Sequence, residues 1–117
     1  MRFLYLSLLV GLLLSCSKAT NYSSCNLNYT ASSGLDSTRQ VQYLAVTAGS
    51  GGTINSISYL DSTGSITVKN PVLPFTAKTN LKKGTIITMS LVGTANHGGS
   101  INMSVITDSI SVVSCSN

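Results

Sequence analysis

The stretch Ile54-Asn55-Ser56-Ile57-Ser58-Tyr59-Leu60-Asp61-Ser62-Thr63-Gly64-Ser65-Ile66-Thr67-Val68-Lys69 decides the fold class. Residues 54–60 alternate, with Asn55, Ile57 and Tyr59 on one face and Ile54, Ser56, Ser58 and Leu60 on the other. A period of two is that of a strand laid on a core. Asp61-Ser62-Thr63-Gly64 then supplies turn chemistry: the carboxylate accepts from nearby backbone N–H groups, and glycine tolerates positive φ. Residues 65–69 return as the partner strand.

The same grammar extends in both directions. Upstream, Val41-Gln42-Tyr43-Leu44-Ala45-Val46 reads as a strand and Ala48-Gly49-Ser50-Gly51-Gly52 as its turn. Downstream, Asn70-Pro71-Val72-Leu73-Pro74-Phe75 cannot lie in a central strand, because neither proline has the N–H a ladder needs. It is expected at an edge or crossing between sheets, with Leu73 and Phe75 dropped into the core. Lys82-Lys83-Gly84 is the next turn. Residues 85–92 follow as a strand whose Ile87, Met89 and Leu91 face one way. Asn96-His97-Gly98-Gly99 is a hairpin turn, after which Ile101, Met103 and Val105 alternate with polar neighbours. Asp108-Ser109 turns the chain into Ile110, Val112 and Val113. Nowhere does a helical apolar stripe persist. About seven strands, with turn signals roughly every 8–12 residues, predict an all-β, immunoglobulin-like β-sandwich of antiparallel strands.

Composition agrees. At 117 residues the chain has room for one domain. Only 9% of it is charged, against about 25% in typical soluble domains, and Ser, Thr, Asn and Gly supply most of the polarity. Disordered chains pair low hydrophobicity with high net charge, which is the opposite pattern.

The N-terminus reads as an export signal: Arg2 is a short positive region and residues 3–14 are almost unbroken apolar. That run is shorter than the about 20 residues that span a bilayer and fits a signal-peptide core of about 7–15. It ends in Leu13-Leu14-Ser15-Cys16, which resembles the bacterial lipobox. The resemblance implies diacylation of the Cys16 thiol and cleavage before it. The alternative is an ordinary signal cut near Ala19, with Cys16 incidental. The expected organisation is therefore a lipoprotein signal peptide over 1–15, then the lipidated Cys16 with a Ser/Thr/Asn-rich tether and lead-in strand over 16–38. The β-sandwich domain occupies 39–117. Within the lead-in, residues 27–31 can pair as an edge strand. With Cys16 acylated, Cys25 and Cys115 remain, and in an oxidising compartment they are expected to pair; two free thiols are the alternative.

No catalytic constellation emerges. His97 is the single histidine, there is no glutamate, and Asp61 and Asp108 belong to other turns, so His97 reads as a turn residue. The serines lack an oriented base, and Gly49-Ser50-Gly51-Gly52 lacks the ending of a phosphate loop. The expectation is no enzyme, no cofactor and no metal. Lys18, Arg39, Lys69, Lys78, Lys82 and Lys83 are scattered against three acids, so there is no nucleic-acid footprint. Each acid opens a similar triplet: Asp36-Ser37-Thr38, Asp61-Ser62-Thr63 and Asp108-Ser109-Ile110. These resemble the three-residue O-glycosylation signal of Bacteroidetes secreted proteins, which implies Ser37, Ser62 and Ser109 as acceptors. Ordinary Asp-Ser turn chemistry is the alternative.

An ordered series of motifs resembles the MmpS family, the small mycobacterial membrane proteins, and their lipoprotein relatives in Bacteroidetes. The residues are 41–47, then Ile57-Ser58-Tyr59 with Asp61 and Gly64, then 70–75, then Lys83-Gly84. Phe75 stands where the family usually carries Trp, and the anchor here resembles acyl chains instead of a transmembrane helix. The resemblance implies a β-sandwich and a role assisting large export pumps. The functional expectation is a non-enzymatic lipid-anchored envelope protein, accessory to membrane transport, at the outer membrane and facing the periplasm. Its membrane contact is through the acyl chains on Cys16, and its partner is an envelope protein such as an export pump. A structural or adhesive cell-surface module is the alternative.

Overall fold

A computed structural model describes residues 22–117. The expected signal peptide and the lipidation residue Cys16 lie outside the described residues. Eight strands form: β1 (Tyr22–Thr30), β2 (Arg39–Gly49), β3 (Gly52–Asp61), β4 (Gly64–Lys69), β5 (Phe75–Leu81), β6 (Thr88–Asn96), β7 (Gly99–Ile106) and β8 (Ile110–Ser116). They make two four-stranded sheets, β1-β6-β3-β4 and β5-β2-β7-β8, and every pairing is antiparallel. The fold is an all-β sandwich. The connections β2 to β3 and β5 to β6 both cross between the sheets, while β2 neighbours β5 and β3 neighbours β6. This interlock is the Greek-key connectivity of immunoglobulin-like sandwiches. The late strands differ from an immunoglobulin domain, because β7 pairs with β2 and not with β6.

Alternation builds the core. Val41, Tyr43 and Ala45 from β2 and Ile101, Met103 and Val105 from β7 point inward from one sheet. Cys25 and Leu27 from β1, Ile57 from β3 and Met89, Leu91 and Ala95 from β6 meet them from the other. Two sheets with one apolar face each can remove that face from water only by stacking. Tyr43 is fully buried, and its hydroxyl donates to the Leu60 carbonyl at 2.6 Å, which ties the two sheets with a polar bond. Tyr59 packs against Tyr43 and Phe75, at ring-centroid distances of 5.0 and 5.8 Å. Leu73 and Phe75 are partly buried against the core, as the proline-containing segment required.

Three differences from the sequence reading have physical causes. The strand count rises to eight because Phe75–Leu81 pairs with β2 along its length. The inward positions of that strand include Ala77 and Thr79, whose small or polar side chains give a weak apolar alternation. The sandwich also begins before residue 39: Tyr22–Thr30 is a full edge strand, nine residues long, on β6. Finally, the pleat of β3 is interrupted. The register with β6 shifts between Ile54 and Ser56, so Ile54 and Ile57 both face inward, at 4% and 0% exposure. A regular strand would send residues three apart to opposite faces; the bulge at Asn55 lets both isoleucines reach the core.

Candidate functional site

The strand registers sort the loops into two poles. At one pole lie the start of β1 at Tyr22, the 49–51 turn, the Asn96-His97-Gly98-Gly99 turn and Asn117, whose backbone carbonyl accepts from the Gly98 N–H. At the other lie the 31–38 loop, the 62–63 turn, the 82–87 segment and the 107–109 turn. All three acids of the chain, Asp36, Asp61 and Asp108, belong to this second pole, with Arg39, Lys82 and Lys83. Elsewhere among the described residues the only formally charged side chains are Lys69 and Lys78. The sequence scatters these charges; the fold gathers most of them.

Arg39 organises the charged pole. It opens β2 opposite Leu81 of β5, and its partly exposed side chain reaches two carboxylates. One guanidinium nitrogen pairs with Asp36 and also donates to the Ser37 hydroxyl at 2.8 Å. The other pairs with Asp108 at 2.9 Å. The guanidinium thus fastens the 31–38 loop to the β7–β8 hairpin. Its bond from Arg39, aided by a bond from the Thr107 hydroxyl, holds the Asp108 carboxyl below the ordinary carboxylate value. The Asp108 partner, outweighing desolvation, raises the Arg39 value in turn. The loop is further held by backbone bonds from Leu35 N–H to Thr85 O and from Gly84 N–H to Leu35 O.

The 62–63 turn has the chemistry its sequence announced. The Asp61 carboxylate accepts from the Thr63 hydroxyl and the Thr63 backbone N–H, both at 2.7 Å. Those bonds lower its pKa. Gly64 takes φ of +127°, a conformation side chains disfavour. The Ser62 backbone N–H donates to the Thr79 hydroxyl on β5 at 3.2 Å, so this turn is also tied to the opposite sheet.

The structure places the sequence-derived site residues as follows. Cys25 and Cys115 form a disulfide with Cα atoms 5.8 Å apart, joining edge strand β1 of one sheet to edge strand β8 of the other. Ser37, Ser62 and Ser109 are all exposed, and all lie at the charged pole. That convergence was not visible in the sequence, where the three triplets are far apart. His97 sits in the turn at the opposite pole. Among the described residues no group of three or more His, Cys, Asp or Glu side chains converges to hold a metal ion. No helix among them is long and apolar enough to cross a membrane. A shallow cleft of about 290 Å³ lies beside Arg39, between the 31–38 loop and Thr107-Asp108. Its volume lies at the lower end of the range of about 300–1,000 Å³ usual for ligand pockets, and it is open to solvent.

Comparison with known proteins adds no relative: no family model, no curated protein and no solved structure matches the chain.

Proposed function

We propose that the protein is a non-enzymatic module of the cell envelope, lipid-anchored through Cys16, that engages a partner protein with its charged pole. The observation that carries this reading is the polarity of the sandwich. The chain arriving from Cys16 enters at Tyr22, at the pole with few charges, while Arg39 and all three acids lie at the other. A membrane anchor upstream of Tyr22 leaves the charged pole directed outward. Two or three acyl chains, at about 0.8 kcal/mol per buried CH₂, suffice for stable anchoring. The Cys25–Cys115 disulfide supports an oxidising compartment. Ser17-Lys18 after the anchor lacks the Asp of inner-membrane retention and any acidic run, which favours the outer membrane and its periplasmic face. The order of motifs that resembles the MmpS family supports an export pump as the partner, with no role for nucleic acid. Labelled palmitate should enter the chain at Cys16. A photoreactive side chain at position 37 or 109 should crosslink to an envelope protein in the native host. Absence of label, or crosslinks no stronger from the charged pole than from position 50, would sink the reading.

A second reading, a structural or adhesive module on the cell surface, is favoured by one observation: Ser37, Ser62 and Ser109 are exposed on turns of the same pole. Glycans on these serines would project together from the outward end. Intact mass of the native protein decides this, since only the lipid increment would remove the glycan reading. Protease shaving of whole cells releases a surface module and spares a periplasmic one.

A further inference from the structure

The two open sides of the sandwich are finished differently. On one side the edge strands are β4 and β5. Each carries a lysine, Lys69 and Lys78, and the segment between them holds Pro71 and Pro74. Lysine and proline are the usual means by which an edge is kept from pairing with another chain. On the other side the edges are β1 and β8, and neither contains a charged residue or a proline.

β8 is the more exposed invitation. It reads Ile-Ser-Val-Val-Ser-Cys-Ser. The Thr107 N–H donates to Ser109 O and the Asn117 N–H to Gly99 O. In an antiparallel ladder hydrogen-bonded and non-hydrogen-bonded pairs alternate, so Ser111, Val113 and Cys115 also turn their backbone groups to β7. The N–H and C=O groups of Ile110, Val112, Ser114 and Ser116 therefore point away from it, and no strand among the described residues pairs along that edge. The side chains of the same four residues stand on the outer face of the sheet. Ile110 is 67% exposed there and Val112 58%. The disulfide does not occupy this edge, because Cys115 reaches inward to Cys25.

We propose that β8 pairs antiparallel with β8 of a second copy of this chain, joining two four-stranded sheets into one continuous sheet. A two-fold axis at Val113 sets Val112 opposite Ser114 and Ile110 opposite Ser116, in both directions. Every residue with free backbone groups then meets another such residue, and a full-length ladder of about eight hydrogen bonds results. A shift of two residues leaves free groups at each end unpaired. The same axis brings the two Val112 side chains to diagonal positions on the outer face, where apolar pairs attract. An uncharged strand sets no like charges against each other in this self-pairing. A two-fold axis also closes this β8 pairing at two copies, because each chain spends its one β8 edge.

The test is sedimentation equilibrium of the full chain in density-matched detergent micelles. The expected result is twice the chain mass, dissociating on dilution. Val112→Lys sets like charges near the axis and should raise the dissociation constant by about tenfold or more. Ser114→Pro removes an N–H that bonds nothing within one copy, together with one exposed hydroxyl bond to Asn102 Oδ1, and edge strands accept proline. It should abolish the dimer while dichroism and melting stay those of the parent. A parent chain that is monomeric at all concentrations, a dissociation constant unchanged by Val112→Lys, or a dimer that survives Ser114→Pro overturns the proposal.

Discussion

Removing the disulfide should cost this domain a large share of its stability without changing its fold. Cys25 and Cys115 are 90 residues apart in sequence, so the bond closes nearly the whole described chain into a loop. In the chain-entropy account, closing a loop of that length is worth roughly 4–5 kcal/mol, because the unfolded ensemble loses that freedom. Single domains are stable by only about 5–15 kcal/mol in total. Each kcal/mol moves the melting temperature of a domain near this size by about 4–8 °C, so the expected drop is on the order of 20–30 °C. The perturbation is Cys25→Ala combined with Cys115→Ala, which avoids placing a serine hydroxyl where Cys25 is 2% exposed. The assay is thermal melting by far-ultraviolet dichroism, with the parent run both oxidised and reduced. At low temperature the variant should keep the parent spectrum, since β1 is still held by its nine-residue ladder with β6. The reduced parent should converge on the variant. A variant melting within about 5 °C of the oxidised parent would refute the reasoning, because the cross-link would then constrain little.

Other perturbations probe the bonds between the sheets and at the charged pole. Tyr43→Phe deletes the hydroxyl that donates to Leu60 O and should cost about 1 kcal/mol through loss of this part-buried bond between the sheets, read as a lower urea midpoint. The Tyr43 value is pushed up to about 12, chiefly by burial. Because the folded value exceeds the unfolded one of 10.0, its contribution is intact below that pH and is lost as pH rises toward about 12; a pH-stability series that stays flat there in the parent would contradict it. For Asp108 the sign is reversed: its folded value lies below 3.8, so the Arg39 clamp contributes above that pH and is lost as pH falls through the folded value. Hydrogen exchange should show the Leu35 amide opening in acid, and Asp108→Asn should open it at neutral pH. Gly99→Ala would place a Cβ 2.1 Å from the Gly51 carbonyl oxygen, and the displaced turn should lower stability by about 2–3 kcal/mol, measured by denaturant unfolding.

Much of the fold is legible in the sequence wherever alternation is strong and turns are marked. Ile87, Met89 and Leu91, and then Ile101, Met103 and Val105, all face the core as their spacing requires. The Asp61 turn is legible down to its carboxylate bonds. The β5 strand is not, because Thr76, Lys78, Thr79 and Asn80 outnumber its apolar residues and hydrogen bonding to β2 outweighs them. The charged pole is illegible for a different reason. Asp36 and Asp108 lie far apart in the chain, and only the pairing of β2 with β7, and of β7 with β8, delivers them to one arginine. Local pattern carries the strands, whereas long-range register carries the site.

The extra residue at Asn55 also governs how β3 tolerates change. Upstream of it the even-numbered Ile54 is intolerant of polar replacement; downstream the requirement passes to the odd-numbered Ile57 and Tyr59. A saturation map of this strand should therefore switch phase once, at a single position. Deleting Asn55 would leave Ile54 and Ile57 two positions apart, so both would keep their inward face and the ladder with β6 would close up without a bulge. Swapping Asn55 for another small polar residue should pass almost unnoticed.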